Sequence, residues 1–190
     1  MTQMPTLTSE RLLLRPHTLA DALDVQRFAG DIEIAKTTLN IPHPYEDGLA
    51  EAWIETHQDA WENASLLALA ITEVNTNEFI GGIGLVLHLQ HDKANLGYWI
   101  GKPHWGKGYA TEAARMLIHY GFTELNLNRI EADYFSKNEA SGRVMQKLGM
   151  NPEGFSKQAY KKWEGYIDIE RYAILKRDYE SSKVRDQAFL

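Results

Sequence analysis

The 190-residue chain has no cysteine. Disulfides, thiolate nucleophiles and cysteine-ligated zinc are therefore excluded. No apolar run reaches the length of about 18 residues that a membrane helix requires, and the start, MTQMPTLTSERLLLRP, lacks the long apolar segment of a signal peptide. A soluble, cytoplasmic protein without a membrane partner is expected. A basic excess is also missing: 20 Lys and Arg stand against 26 Asp and Glu, a net charge of −6. Nucleic-acid binding normally leaves a basic footprint, so no nucleic-acid partner is expected. No repeat, low-complexity tract or Pro/Gly/Ser-rich linker divides the chain. One domain over 1–180 with a polar tail at 181–190 is the simplest organisation.

What is present suits an ordinary core: 44% hydrophobic residues, with 5 Trp, 9 Tyr and 6 Phe. RLLLRP (11–16) reads as a short strand halted by Pro16. A helix follows from an N-cap at Thr18, and another spans 45–63, where Leu49, Trp53, His57 and Trp61 recur every four residues. SLLALAITEV (65–74) and FIGGIGLVLHL (79–89) form a hairpin, and ANLGYWIG (94–101) is a third successive strand. Then come a helix after residue 108, a strand at 128–135, and a helix over 138–150 stopped by Gly149. FSKQAYKKW and YIDIERYAILKRDY close the chain as an antiparallel pair. The order is that of a mixed α/β (α+β) domain on one central sheet.

Two stretches carry chemistry. GKPHWGKGYATEAA (101–114) approaches a nucleotide P-loop, but Gly108 stands where the magnesium-binding Ser or Thr belongs. A loop entering a helix nonetheless offers free amides and the positive end of the helix dipole to a phosphate. Gly106 and Gly108 let the backbone approach such a group. A glycine turn that merely caps the helix is the plainer alternative. In NEASGRVMQKLGM (138–150), Asn138 and Ser141 stand at a helix start, where Asn138 alone reads as an N-cap.

Together, GYWIGKPHWGKGYATEAARMLIHYGF and NEASGRVMQKLGM closely resemble the GNAT acetyltransferases, in the branch of the ribosomal-protein N-terminal (RimJ/RimL-like) enzymes. ERLLLRP near the start and DIERYAILKRDY near the end are similar to that branch as well, so the resemblance runs from about Leu7 to Tyr179. The family's phosphate loop, Q/R-x-x-G-x-G/A, is matched over Trp105–Ala110 except that Trp105 replaces Gln or Arg. The resemblance implies a GNAT fold: a mixed central sheet of six to seven strands, splayed at the fourth, with helices on both faces. It implies acetyl-CoA as co-substrate with no metal, its pyrophosphate held by the amides of Trp105, Gly106, Lys107, Gly108, Tyr109, Ala110 and Thr111. Trp99 and Ile100 would pair with the pantetheine arm at the splay, and Asn138 would contact the cofactor. The acceptor it implies is a primary amine, in that branch a protein or peptide N-terminus; a small amine such as a polyamine or antibiotic is the alternative, as is a non-catalytic acyl-CoA sensor.

The amine must lose a proton before attack, and Glu131 lies where several such enzymes carry a carboxylate base. Asp133 shares its strand face by alternation and is the reserve. The position of the family's acid tyrosine falls on Met145, and Ser141 fits the serine that takes this part in the N-terminal branch. Tyr134 and Tyr160 are further reachable hydroxyls or packing residues. His88 and His91, three apart at a strand end, do not make a metal site. Trp53 and Trp61 read as core, with a substrate cage as the alternative, and Glu46, Asp47, Glu51, Glu55 and Asp59 as a solvated acidic helix face that would otherwise attract an amine to the acceptor site. Monomer and homodimer both remain open.

Overall fold

Alternating apolar residues build the sheet. In the computed structural model, which describes residues 3–181, the strands are β1 (Leu7–Thr8), β2 (Leu12–Pro16), β3 (Leu66–Glu73), β4 (Phe79–His88), β5 (Lys93–Ile100), β6 (Arg129–Phe135), β7 (Asn151–Lys162) and β8 (Gly165–Leu175). The helices are α1 (Ala22–Ala29), α2 (Ile32–Ala35), α3 (Leu49–Glu62), α4 (Tyr109–Thr123), α5 (Glu139–Lys147) and α6 (Lys176–Ser181). All eight strands form one sheet in the order β1-β2-β3-β4-β5-β6-β8-β7. The eighth strand, β1, is a two-residue segment too short for alternation to reveal.

Side-chain alternation sends the two faces of the sheet to different helices. On β3, Leu67, Leu69 and Ile71 join the main core with Ala113, Leu117 and Phe122 of α4. From the opposite face, Ala70 packs with Val25 and Phe28 of α1 and Ala50 and Ile54 of α3. Helices therefore cover both faces.

Only one neighbouring pair is parallel, β5 with β6, because α4 carries the chain back across the sheet between them. Their pairing is confined to Lys93–Asn95 against Arg129–Glu131. Beyond that point β5 stays bonded to β4 as far as Ile100, while β6 stays bonded to β8 as far as Phe135. The sheet opens between them. This is the splay the resemblance implied, on the fifth strand once β1 is counted.

Several boundaries differ from the sequence reading for local reasons. The first helix, expected over 18–31, runs as α1 only to Ala29, and α2 follows as a separate short helix that Asp31 caps by accepting from the Glu33 amide. In α3 the buried stripe is Ala50, Ile54, His57 and Trp61 rather than one beginning at Leu49. A four-residue repeat drifts about 40° per step on a helix, so Leu49 ends outward and Trp61 inward. The closing strand stops at Leu175, since α6 turns Tyr179 onto α4, its ring 5.1 Å from Phe122. Of the expected polar tail at 181–190, residues 182–190 lie outside the described residues.

Candidate active site at the open sheet

A cavity of about 460 Å³ occupies the opening between β5 and β6 and passes from one face of the sheet to the other. Strand alternation assigns its walls. Tyr98, Tyr134, Ser141 and Met145 line it on the α4–α5 side. Trp99, Asp133, Trp53 and Tyr160 line it on the α1–α3 side, roofed by residues 37–41. The roof is tied to the β7–β8 hairpin by the Lys162 ammonium, which donates to the carbonyls of Leu39 (3.0 Å) and Ile41 (3.2 Å).

The glycine loop sits at the end of β5. Gly106 (φ +76°) and Gly108 (φ +83°) both adopt left-handed backbone, which favours glycine, and Gly108 is the N-cap of α4. Among the described residues, none of the amides of 106–111 donates to a backbone carbonyl, so the helix start presents a cluster of free donors. Gly106, Lys107 and Gly108 are exposed, Tyr109 and Ala110 half-buried, and Thr111 buried. Trp105 does not face this cluster as a free ligand group. Its indole N–H donates to the Ile100 carbonyl at 2.6 Å, clasping the loop onto the last residue of β5 while the ring stays 45% exposed. Ile100 is thereby fixed twice, by that bond and by its side chain in the main core.

Sequence reasoning missed the residue that holds this loop from behind. Arg11 reaches from the start of β2, donating to the Lys107 carbonyl (3.1 Å) and pairing with the Glu112 carboxylate through Nε (2.8 Å) and Nη2. Its guanidinium also lies 4.9 Å from the centre of the Tyr109 ring. Ser9 Oγ donates to Glu112 as well, at 2.7 Å. Only the RLLLRP match hinted at this position, and a residue nearly one hundred positions away has no local signal.

The carboxylate expected as base is engaged elsewhere. Glu131 is not among the cavity's lining residues; Arg129 Nε donates to it at 2.7 Å and Lys93 Nζ at 3.2 Å. Burial pushes its carboxyl up, but the bonds from Arg129 and Lys93 outweigh that and hold it below the ordinary value. Asp133, one pleat further on the same face, does line the cavity. Desolvation raises its carboxyl pKa, only partly countered by Arg171, its cross-strand partner on β8.

Asn138 is the N-cap of α5, as its position alone suggested. Its Oδ1 accepts from the Ser141 amide at 3.3 Å, while its Nδ2 donates to Ser141 Oγ at 3.0 Å. Asn138 therefore orients Ser141 and is not itself among the lining residues. Tyr98, which the sequence reading passed over, supplies a hydroxyl on the same side. That hydroxyl is buried with no well-formed hydrogen bond; burial raises its pKa, and the Ser141 side chain close beside it lowers it. A buried, unsatisfied hydroxyl facing a cavity is a place for a ligand atom. The free amides, the unpaired edge of β5 and this hydroxyl together fit a long phosphorylated thioester lying through the opening. Among the described residues no three His, Cys, Asp or Glu side chains converge as a metal site.

Comparison with known proteins gives consistent findings. Residues 11–151 match the family model described as an acetyltransferase (GNAT) domain. The chain is 37% identical over 179 residues, 93% of this chain and 99% of the other, to an uncharacterized N-acetyltransferase, p20, of Bacillus licheniformis. It is 40% identical over 91 residues, 48% of this chain and 50% of the other, to the putative ribosomal N-acetyltransferase YdaF of Bacillus subtilis. The fold is similar to that of RimL, a ribosomal L7/L12 α-N-protein acetyltransferase solved with coenzyme A, with a TM-score of 0.83 over 90% of this chain and 98% of that one at 16% identity.

Proposed function

The chain belongs to the GNAT acetyltransferase family, and from that premise we propose that it acetylates a primary amine, with a protein or peptide N-terminal α-amine as the leading acceptor. The observation carrying this reading is the open sheet between β5 and β6, with free amides at its outer end and a buried unpaired hydroxyl, Tyr98, within it. The N-terminal acceptor rests on the branch resemblance and on the names of YdaF and RimL. Members of the family use acetyl-CoA, which supplies an acetyl group activated as a thioester for direct attack by a neutral amine.

In this reading the amides of 106–111 and the positive end of α4 hold the pyrophosphate, with Trp105 fixing the loop's approach. By alternation the backbone of Trp99 bonds β4 and the carbonyl of Ile100 is taken by Trp105, so the open edge of β5 offers the pantetheine amides the backbone of Tyr98 and the amide of Ile100. Asp133, in the role the sequence assigned to Glu131, accepts a proton from the incoming ammonium, directly or through water. Its raised pKa brings it closer to the range useful for that task. Ser141, held by Asn138, and Tyr98 donate to the departing sulfur; together they replace the acid tyrosine whose usual place is Met145.

Incubation with acetyl-CoA and a panel of amines, followed by assay of released thiol, tests the proposal. Thiol release that depends on an amine is expected. No release from any peptide, polyamine or aminoglycoside, with the cofactor tightly bound, would favour an acyl-CoA sensor instead.

A further inference from the structure

The acceptor side of the cavity carries its own chemistry. Strands β4 and β5 place two glycines directly opposite each other, Gly84 and Gly97, on the face that bears Trp99. Both line the cavity, as does Ala68, the β3 neighbour of Gly84. Gly84 is required by the fold, because a Cβ there would sit 2.6 Å from the Leu67 carbonyl oxygen. Gly97 is not. Its φ lies outside the left-handed region, and a Cβ there would meet nothing within 4 Å. Glycine weakens a strand interior and marks a place where something else approaches closely. At Gly97 that space belongs to the cavity.

Around this floor stand large apolar groups. Trp99 lies over Gly82, whose added Cβ would be 2.8 Å from the indole Nε1, and Trp53, Phe135 and Tyr160 complete the wall. Charge is scarce. Asp133 is the only ionic side chain among the described residues lining the cavity. Neither the acidic residues of α3, Glu51, Glu55 and Asp59, nor Glu46 and Asp47 just before it belong to the lining. At the rim, the roof over the cavity is held by an ammonium, Lys162.

Resting on the acetyl-transfer reading above, we infer that the acceptor is a primary amine carrying a single positive charge and a bulky apolar or aromatic group. That group seats over the Gly84–Gly97 floor among the aromatic side chains, with its nitrogen toward Asp133. One carboxylate matches one ammonium. A polyamine would bring further charges into an apolar chamber that offers no second anion, at a desolvation cost nothing repays. Among peptide N-termini the same chamber selects a first residue with a large apolar side chain.

The test uses initial rates of thiol release with saturating acetyl-CoA and five acceptors: phenethylamine, ethylamine, spermidine, a Phe-initiated peptide and its Ser-initiated counterpart. Phenethylamine is expected to exceed both ethylamine and spermidine, and the Phe peptide the Ser peptide, by about tenfold or more in kcat/KM. Gly97→Val, which fills the floor, is expected to lower kcat/KM for phenethylamine at least tenfold more than for ethylamine, with acetyl-CoA affinity retained; Gly97→Ala should do so in smaller measure. Preference for spermidine or the Ser peptide, or a Gly97→Val loss equal for large and small amines, overturns the inference and leaves acetyl transfer standing. Absence of amine-dependent release across the whole panel overturns acetyl transfer and the inference with it.

Discussion

Replacing Arg11 with Met removes the group that ties the strand edge to the glycine loop, and its effect can be worked out. Arg11 neutralises Glu112, a carboxylate in the first turn of α4, the helix whose free amides face the proposed pyrophosphate. Freed of its partner, Glu112 stands roughly 8 Å, or one and a half helical turns, from that site. Each phosphate charge then feels about 0.5–2 kcal/mol of repulsion between the dielectric limits of water and a protein surface, cut to roughly a third at physiological salt. Two charges give about 0.4–1.4 kcal/mol. The lost bond to the Lys107 carbonyl, on a side chain 45% exposed, adds at most about 1 kcal/mol. Acetyl-CoA affinity should fall about tenfold, with a smaller deficit at high salt. Calorimetric titration at low and high ionic strength measures this, and the double variant Arg11→Met, Glu112→Gln should recover a large part of the loss. An unchanged affinity at low salt, or a loss that Glu112→Gln fails to relieve, would refute the reasoning.

Other perturbations follow from the same geometry. Tyr98→Phe should lower kcat about a hundredfold and flatten the alkaline limb of the pH–rate profile, while calorimetry finds acetyl-CoA affinity unchanged. A fall in affinity instead would make Tyr98 a packing residue. Trp105→Phe deletes the bond to the Ile100 carbonyl, worth about 1 kcal/mol, and should lower Tm by about 2–4 °C in a thermal scan and loosen the glycine loop. His17 and His57 are buried with all four ring nitrogens unpartnered and their rings 5.0 Å apart. Burial, and for His17 also repulsion from His57, pushes them down to about 3 and about 4. The unfolded chain binds these protons near pH 6.5 and the folded chain does not, so stability is complete above that pH and falls toward pH 4, by up to about 1.4 kcal/mol per pH unit for each. Urea midpoints should show that slope roughly halved in His57→Leu; an unchanged slope would mean the pair is not its source.

What could be read from the sequence was chemistry that is local along the chain. The glycines of 106–108 and the Asn138–Ser141 cap lie within a helix start, where neighbours in sequence are neighbours in space. The acceptor chamber could not be read this way, because its walls come from β3 to β8, α3 and the segment 37–41. Alternation put Glu131 and Asp133 on one face, yet it does not say where along that face β5 departs from β6. Asp133 lies past that point and Glu131 at it, within the pairing that Lys93 and Arg129 reinforce. Trp105 departs from the family pattern in sequence, and its role emerged only from the Ile100 carbonyl it clasps. Tyr98 was hidden for the opposite reason: a tyrosine in an apolar strand looks like packing until its hydroxyl is found without a partner.

The most direct measurement is a structure of the protein crystallised with acetyl-CoA. The expected result places the pyrophosphate on the amides of 106–111 and the thioester in the gap between β5 and β6, with its sulfur beside Tyr98 and Ser141 and its carbonyl open to Asp133. A cofactor whose thioester lies outside that gap, with Tyr98 still unpartnered, would contradict the account.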